Sequence, residues 1–152
     1  MNALSAFDTL EHEPLYEEPL FFIEPKDRDP ADEATRVSIF RNVLRSAAPQ
    51  AMVVGIPNAA NRGQWAKNQA KKEGAYWGFP DLVVLAPSGI MSPIDRPLVA
   101  FLEFKAGQTM PAQHQIDCLN RLHRMGFPVG VFRNAETAVR FLRDHDVIGG
   151  GV

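Results

Sequence analysis

Leu98-Val99-Ala100-Phe101-Leu102-Glu103-Phe104-Lys105 sets five apolar residues in a row before a carboxylate, an aromatic ring and a lysine. An unbroken apolar run is what a strand covered on both faces requires, so this stretch predicts an inner strand of an α/β fold. Side chains alternate along a strand, so Glu103 and Lys105 leave one face and Phe104 the other. Just upstream, residues 80–85 (PDLVVL) predict a second strand, with Pro80 at its first position, where a missing N–H is tolerated. Ala86 to Pro97, with three prolines, Gly89 and two serines, reads as a long loop between them. The strand pair flanking that loop is expected to be antiparallel.

The remaining elements follow outward from this pair. Asp29 and Pro30 predict a helix start, with Asp32 and Glu33 where the helix dipole favours anions. Glu33, Val37, Phe40 and Leu44 then mark one helix face, and Pro49 closes the helix. Residues 52–56 (MVVGI) read as a strand. After the polar stretch Pro57 to Gly63 comes a basic helix from about Gln64 to Glu73, stopped by Gly74. A helix starting at Thr109 to Pro111 carries Ile116, Leu119 and Leu122 on one face and stops at Gly126. Residues 129–132 (VGVF) form a last strand, and Asn134 caps a final helix with Ala138, Phe141 and Leu142 inward. The expected architecture is an α/β sandwich, a mixed four-stranded sheet flanked by helices.

The chain has 152 residues, 45% of them hydrophobic, which suits one domain with a real core. Residues 1–29, with four prolines by Pro30, read as an acidic arm whose Leu20-Phe21-Phe22-Ile23 cluster can dock on the body or on a second subunit. Residues 30–146 read as the domain and 147–152 as a flexible Gly-rich tail. The longest apolar runs are far short of the ~20 residues of a membrane helix, and no signal peptide is evident. The single cysteine, Cys118, makes a reducing cytoplasm the expected compartment. Residues 1–33 hold ten acids against two bases, whereas residues 34–152 hold eight acids and fourteen bases. A basic body behind an acidic arm suits a polyanionic partner.

Three carboxylates stand where carboxylates are costly. Asp81 opens an apolar strand, Glu103 interrupts the end of another, and Glu33 lies on the apolar stripe of the first helix. Taken singly, each has a plain reading as a turn residue, a solvated pair with Lys105 or dipole decoration. Together on one sheet they suit a hard divalent cation such as Mg²⁺, held by Asp81 and Glu103, with the Phe104 carbonyl and Glu33 completing the shell. Lys105, a compact charge with three donors, would then hold an attacking water and neutralise a phosphate-like transition state. Gln115 shares a helix face with Leu119 and Leu122, looks inward, and would orient Lys105. His114 and Cys118 have i, i+4 spacing, yet no second ligand pair accompanies them for zinc.

Gly78-Phe79-Pro80-Asp81-Leu82, then Glu103-Phe104-Lys105, then a Gln eleven residues before Gly126, resembles the PD-(D/E)XK nuclease superfamily, and within it the virus-type replication-repair nuclease (VRR-NUC) family. The similarity runs from about Glu33 to Phe141. The resemblance implies a restriction-endonuclease-like sandwich with Asp81 and Glu103 as metal ligands and Lys105 as the catalytic lysine. It also implies that Gln115 is the motif glutamine and Glu33 the helix acid near the metal. Gln113 is the other available glutamine, but it falls off the apolar stripe. The acidic arm lies outside the family pattern.

Arg62, Lys67, Lys71 and Lys72, interleaved with Trp65, Tyr76 and Trp77, offer a track for DNA phosphates. Arg36, Arg41 and Arg45, on the expected outer side of the first helix, would extend it. The function expected is hydrolysis of DNA phosphodiester bonds with Mg²⁺ or Mn²⁺, as an endonuclease on branched or flapped DNA. By analogy with small stand-alone members of that family, a homodimer would suit such a substrate. The competing reading is a non-catalytic DNA-binding or assembly module that retains the fold. No membrane and no organic cofactor are expected.

Overall fold

In the computed structural model, residues 17–57, 63–87 and 98–149 are described. In chain order the elements are β1 (Phe22–Ile23), α1 (Glu33–Ala47), β2 (Met52–Gly55), α2 (Gln64–Lys72), β3 (Leu82–Ala86), β4 (Leu98–Phe104), α3 (Gln113–Arg124), β5 (Val129–Phe132) and α4 (Ala135–Asp144). They build a mixed sheet in the order β1-β5-β4-β3-β2. As expected, β3 and β4 are antiparallel; β3 is also antiparallel to β2, while β5 runs parallel to β4 and to β1. The long loop expected before Pro97 falls mostly outside the described residues. No helix among them is long and apolar enough to cross a membrane.

Among the described residues the sheet has five strands, not four. Phe22–Ile23, counted with the arm on sequence grounds, pairs with Gly130 and Val131 at the edge of β5. Two residues are too few to show a strand period, so the signal was missed for a physical reason: tertiary partners hold this strand. Glu24 N donates to Val131 O at 2.9 Å. The buried Asn120 on α3 accepts from Leu20 N at 2.8 Å and donates to Glu18 O at 3.1 Å. The apolar cluster of the arm therefore docks on the body of its own chain.

The inner strand β4 sorts its side chains onto two faces. Ala100, Leu102 and Phe104 point to the layer of α1 and α4, where Phe40, Leu44, Ala138 and Leu142 are buried against them. Phe101 points to the other layer, with Cys118, Leu119 and Leu122 of α3 and Val129 and Val131 of β5. Both faces are thus covered, which is why the run 98–102 shows no alternation. Each such fully buried apolar side chain contributes about 1.5–3 kcal/mol relative to exposure. Val147 and Ile148, counted with the tail, are buried in the α1/α4 core.

Helix ends follow their capping residues with two corrections, the first being that α3 starts at Gln113 after Ala112 and not at Thr109 to Pro111, which lie ahead of it outside any helix. Asp32, not Asp29, caps α1: its side chain accepts from Thr35 N at 2.8 Å, and Asp29 instead accepts from Ala31 N. Asn134 caps α4 through Glu136 N, and Gly126, at φ +93°, ends α3.

Candidate active site

Register brings the acids of the two inner strands together. Leu82 pairs with Leu102 across the antiparallel ladder, so the next step sets Asp81 beside Glu103 on the α3 face. The contact is direct, since Asp81 N donates to Glu103 Oε2 at 3.0 Å. Glu103 is 0% exposed. Its other oxygen, Oε1, lies 2.9 Å from Lys105 Nζ and accepts from Gln115 Nε2 at 2.6 Å. A single buried carboxylate therefore gathers Asp81, Lys105 and Gln115 around itself.

The orientation of Gln115 has a local cause. In the first turn of α3 its Oε1 accepts from Ala112 N at 3.0 Å. That bond fixes the oxygen end of the amide, so the NH₂ end faces Glu103. Gln113 is turned elsewhere, donating to Asp117 Oδ1. Of the two glutamines left open by spacing, Gln115 is the one in the cluster.

Electrostatically the cluster is strained. Burial, and then the charge of Asp81, push the Glu103 carboxyl up to about 7, against the opposing pull of Lys105. Burial works against the Lys105 ammonium too, but the charges of Glu103, Glu33 and Asp81 outweigh it and hold the amine above its ordinary value. Lys105 is a cation at neutral pH, and it stands against the two acids of the pair.

Glu33 joins this group differently from the expectation. Its Oε1 is 3.9 Å from Lys105 Nζ, and its side chain is 42% exposed. α1 packs on the opposite face of the sheet from α3, and Glu33 meets the cluster at Lys105. Among the described residues, no three His, Cys, Asp or Glu side chains gather closely enough to hold a metal on their own. Asp81 and Glu103 are nevertheless hard oxygen donors whose mutual repulsion a divalent cation would relieve, and two carboxylates completed by water and phosphate suffice for Mg²⁺. The residues fit such an ion. The Phe104 ring is fully buried, 5.2 Å from Phe40, and belongs to the core.

The basic residues divide. Lys71 and Lys72 are exposed in the last turn of α2 and Lys67 is half-buried; Arg62 lies outside the described residues. Arg36 is not on the outer side of α1. It is 4% exposed and donates to Asp27, Ala31 O, Asp29 O and Arg133 O, so it belongs to the interior. Arg41 donates to Val53 O. Cys118 is buried, its thiol pushed up to about 11 by desolvation, which suits packing and not ligation.

Sequence reasoning placed Gly78 in the motif and Tyr76 and Trp77 in the basic track, but did not foresee how the turn packs on α3. Gly78, at φ +79°, lies so close to α3 that a Cβ there would be 2.4 Å from His114 O. This contact lays the Trp77 ring 5.1 Å from the His114 ring. A groove of about 550 Å³ lined by Phe22, His123, Arg140, Phe141 and neighbours shares no residue with the cluster.

No protein-family model and no curated protein matches the sequence. Among solved structures, a VRR_NUC domain protein superposes with a TM-score of 0.56 at 16% identity, over 80% of this chain and 93% of that one. The chain therefore adopts the fold of a VRR_NUC domain protein.

Proposed function

We propose that this chain is a metal-dependent deoxyribonuclease that hydrolyses phosphodiester bonds at a PD-(D/E)XK-type site, with Mg²⁺ or Mn²⁺. One observation carries the reading: a fully buried carboxylate, Glu103, touched at once by Lys105 and Gln115 and pressed by the charge of Asp81. A Glu–Lys ion pair needs no second carboxylate to form, and the charge of Asp81 raises the cost of burying the first.

Asp81, Glu103 and the Phe104 carbonyl would hold the cation, with Glu33 acting on Lys105 from the far side. When bound, the ion supplies Lewis-acid polarisation of the phosphate and a lowered pKa for water. Lys105 is kept charged and is held at one end by Glu103, so its free N–H donors can orient water and neutralise charge growing on the phosphate oxygens. Gln115, its amide pinned by Ala112 N, stops Glu103 from rotating. Lys67, Lys71 and Lys72 would contact backbone phosphates without reading bases, an attraction that weakens with salt. A branched substrate and a homodimeric enzyme belong to the same proposal.

The test is a panel of labelled junction, flap, nicked, linear and single-stranded DNAs with Mg²⁺, Mn²⁺ or EDTA. The expected result is cleavage with either metal, lost in EDTA, and strongest on branched substrates. Binding across the panel with no cleavage in either metal would assign the chain to the non-catalytic class.

A further inference from the structure

Beside the acidic cluster the surface presents aromatic rings in place of charge. Trp77 is 55% exposed and Tyr76 44% exposed. Both are held in place. Trp77 leans on His114, ring centroids 5.1 Å apart and planes inclined by 37°. Tyr76 accepts a hydrogen bond from Arg121 Nη1 at 2.6 Å. Beneath them, Gly78 touches the His114 carbonyl and Gln115 N so closely that no other residue fits. The turn is clamped to α3 at both ends, and the outer face of the indole stays open.

Its location ties it to the chemistry. His114 precedes Gln115, whose amide holds Glu103, and Trp77 stands four residues before Asp81. Partial burial, and then the charge of Lys105, hold the His114 imidazole below its ordinary value. The platform is therefore adjacent to the place where a scissile phosphate would lie, with Arg121 at its rim.

Resting on the nuclease reading above, we infer that Trp77, backed by His114, is a stacking subsite for an unpaired DNA base next to the cleaved phosphate. Bases inside a duplex have both π-faces covered by neighbours, so a fixed exposed indole can stack only on a base that is frayed, flipped or single-stranded. Stacking is tolerant of base identity, so the subsite selects strand structure and not sequence. It favours a flap or a single-strand to duplex boundary over a continuous helix, and it positions the nucleotide whose phosphate faces Lys105.

The experiment reads binding in EDTA, so its result does not depend on hydrolysis. In a Trp65→Phe background, Trp77 emission should be quenched by a short single-stranded oligodeoxynucleotide and not by a blunt hairpin duplex. Trp77→Ala should weaken binding of the single strand about tenfold, change duplex binding less than about twofold, and Trp77→Phe should recover most of the loss. A thermal melt verifies the fold of Trp77→Ala; if it does not fold, the quenching data and Trp77→Phe decide. Equal quenching by both DNAs, or single-strand affinity unchanged in a folded Trp77→Ala, overturns the subsite while leaving the nuclease reading intact. Quenching and affinity loss as expected, in a protein that cuts none of the panel, would keep the subsite and remove the nuclease.

Discussion

Two buried polar clusters of this protein each join a cation to carboxylate oxygens, and they differ in how their charges balance. Around Arg36 every donor is used: Nε to Ala31 O, Nη1 to Asp27 and Arg133 O, Nη2 to Asp27 and Asp29 O. The Asp27 carboxyl is held below its ordinary range by that guanidinium, and the guanidinium is raised in turn. Around Glu103 both oxygens also have partners, but burial, and then the charge of a second acid, lift the carboxyl to about 7. A cluster whose charges balance stabilises the fold, whereas one that sets two acids side by side holds its carboxylate in a perturbed state at a cost.

The Arg36 cluster also ties the acidic N-terminal segment to the sheet. Glu24 Oε2 accepts from Arg133 N and Asn134 N, and Arg133 reaches across to Ala106 O, the residue after Lys105. Gly107 O accepts from Asp27 N. The acids at 24 and 27 therefore brace the loop that follows the lysine, and the part of the arm that bears them is not a free counter-charge to the basic body.

The contrast can be broken at either cluster. Glu103→Gln should abolish DNA cleavage while shifting the melting temperature by no more than a few degrees, because it deletes a charge the fold holds at a cost. Cleavage at the wild-type rate would place the chemistry elsewhere. Lys105→Ala should lower the single-turnover rate by about 10²–10³, the effect of losing one preorganised electrostatic group; a rate within twofold of wild type would make Lys105 structural. Arg36→Ala should cost on the order of 3 kcal/mol in a urea melt, the low end for opening a buried pair, because Asp27 keeps 36% of its side chain in water. A neutral result would show that its five hydrogen bonds merely replace those to solvent.

The smallest effect is a slope with pH, and it sharpens the contrast through its sign. Glu103 has a folded pKa above its ordinary 4.5, so the folded state retains a proton that the unfolded chain has released. The stability from that proton is full below about 4.5 and is lost as pH rises through about 7. Metal-free protein should therefore lose a few degrees of melting temperature across this window, and Glu103→Gln should flatten the curve. Asp27 works in the other direction: its contribution is full above its ordinary 3.8 and is lost as pH falls through its lowered value. Asp27→Asn should change only that acid limb. A Glu103→Gln curve as steep as wild type would remove the strained-carboxylate account.

Much of this was readable in advance, and the boundary falls along interaction range. The strands 82–86 and 98–104, the stripe of α1 through Phe40 and Leu44, and the stops at Gly74 and Gly126 were visible because period, capping and backbone freedom act within a few residues. The edge strand at Phe22–Ile23 was not, since two residues carry no period and the hydrogen-bonding partner lies more than a hundred residues away. Arg36 was misplaced outward because only Asp27 and the Arg133 carbonyl make an interior guanidinium tolerable. Glu33 was drawn too far into the acid pair because the helix face was known but the layer it covers was not.

Local residue order dictated which side chains could do chemistry: Asp81 at a strand start, Glu103 and Lys105 on one face, Gln115 on the inner side of a helix. Folding alone chose among them, seating Gln115 and not Gln113 on Glu103, setting Asp81 beside it, and laying Trp77 over His114. The reason is physical. Side-chain direction follows from dihedral periodicity along the chain, whereas the environment that charges, neutralises or exposes a group comes from strands and helices distant in sequence and adjacent in space.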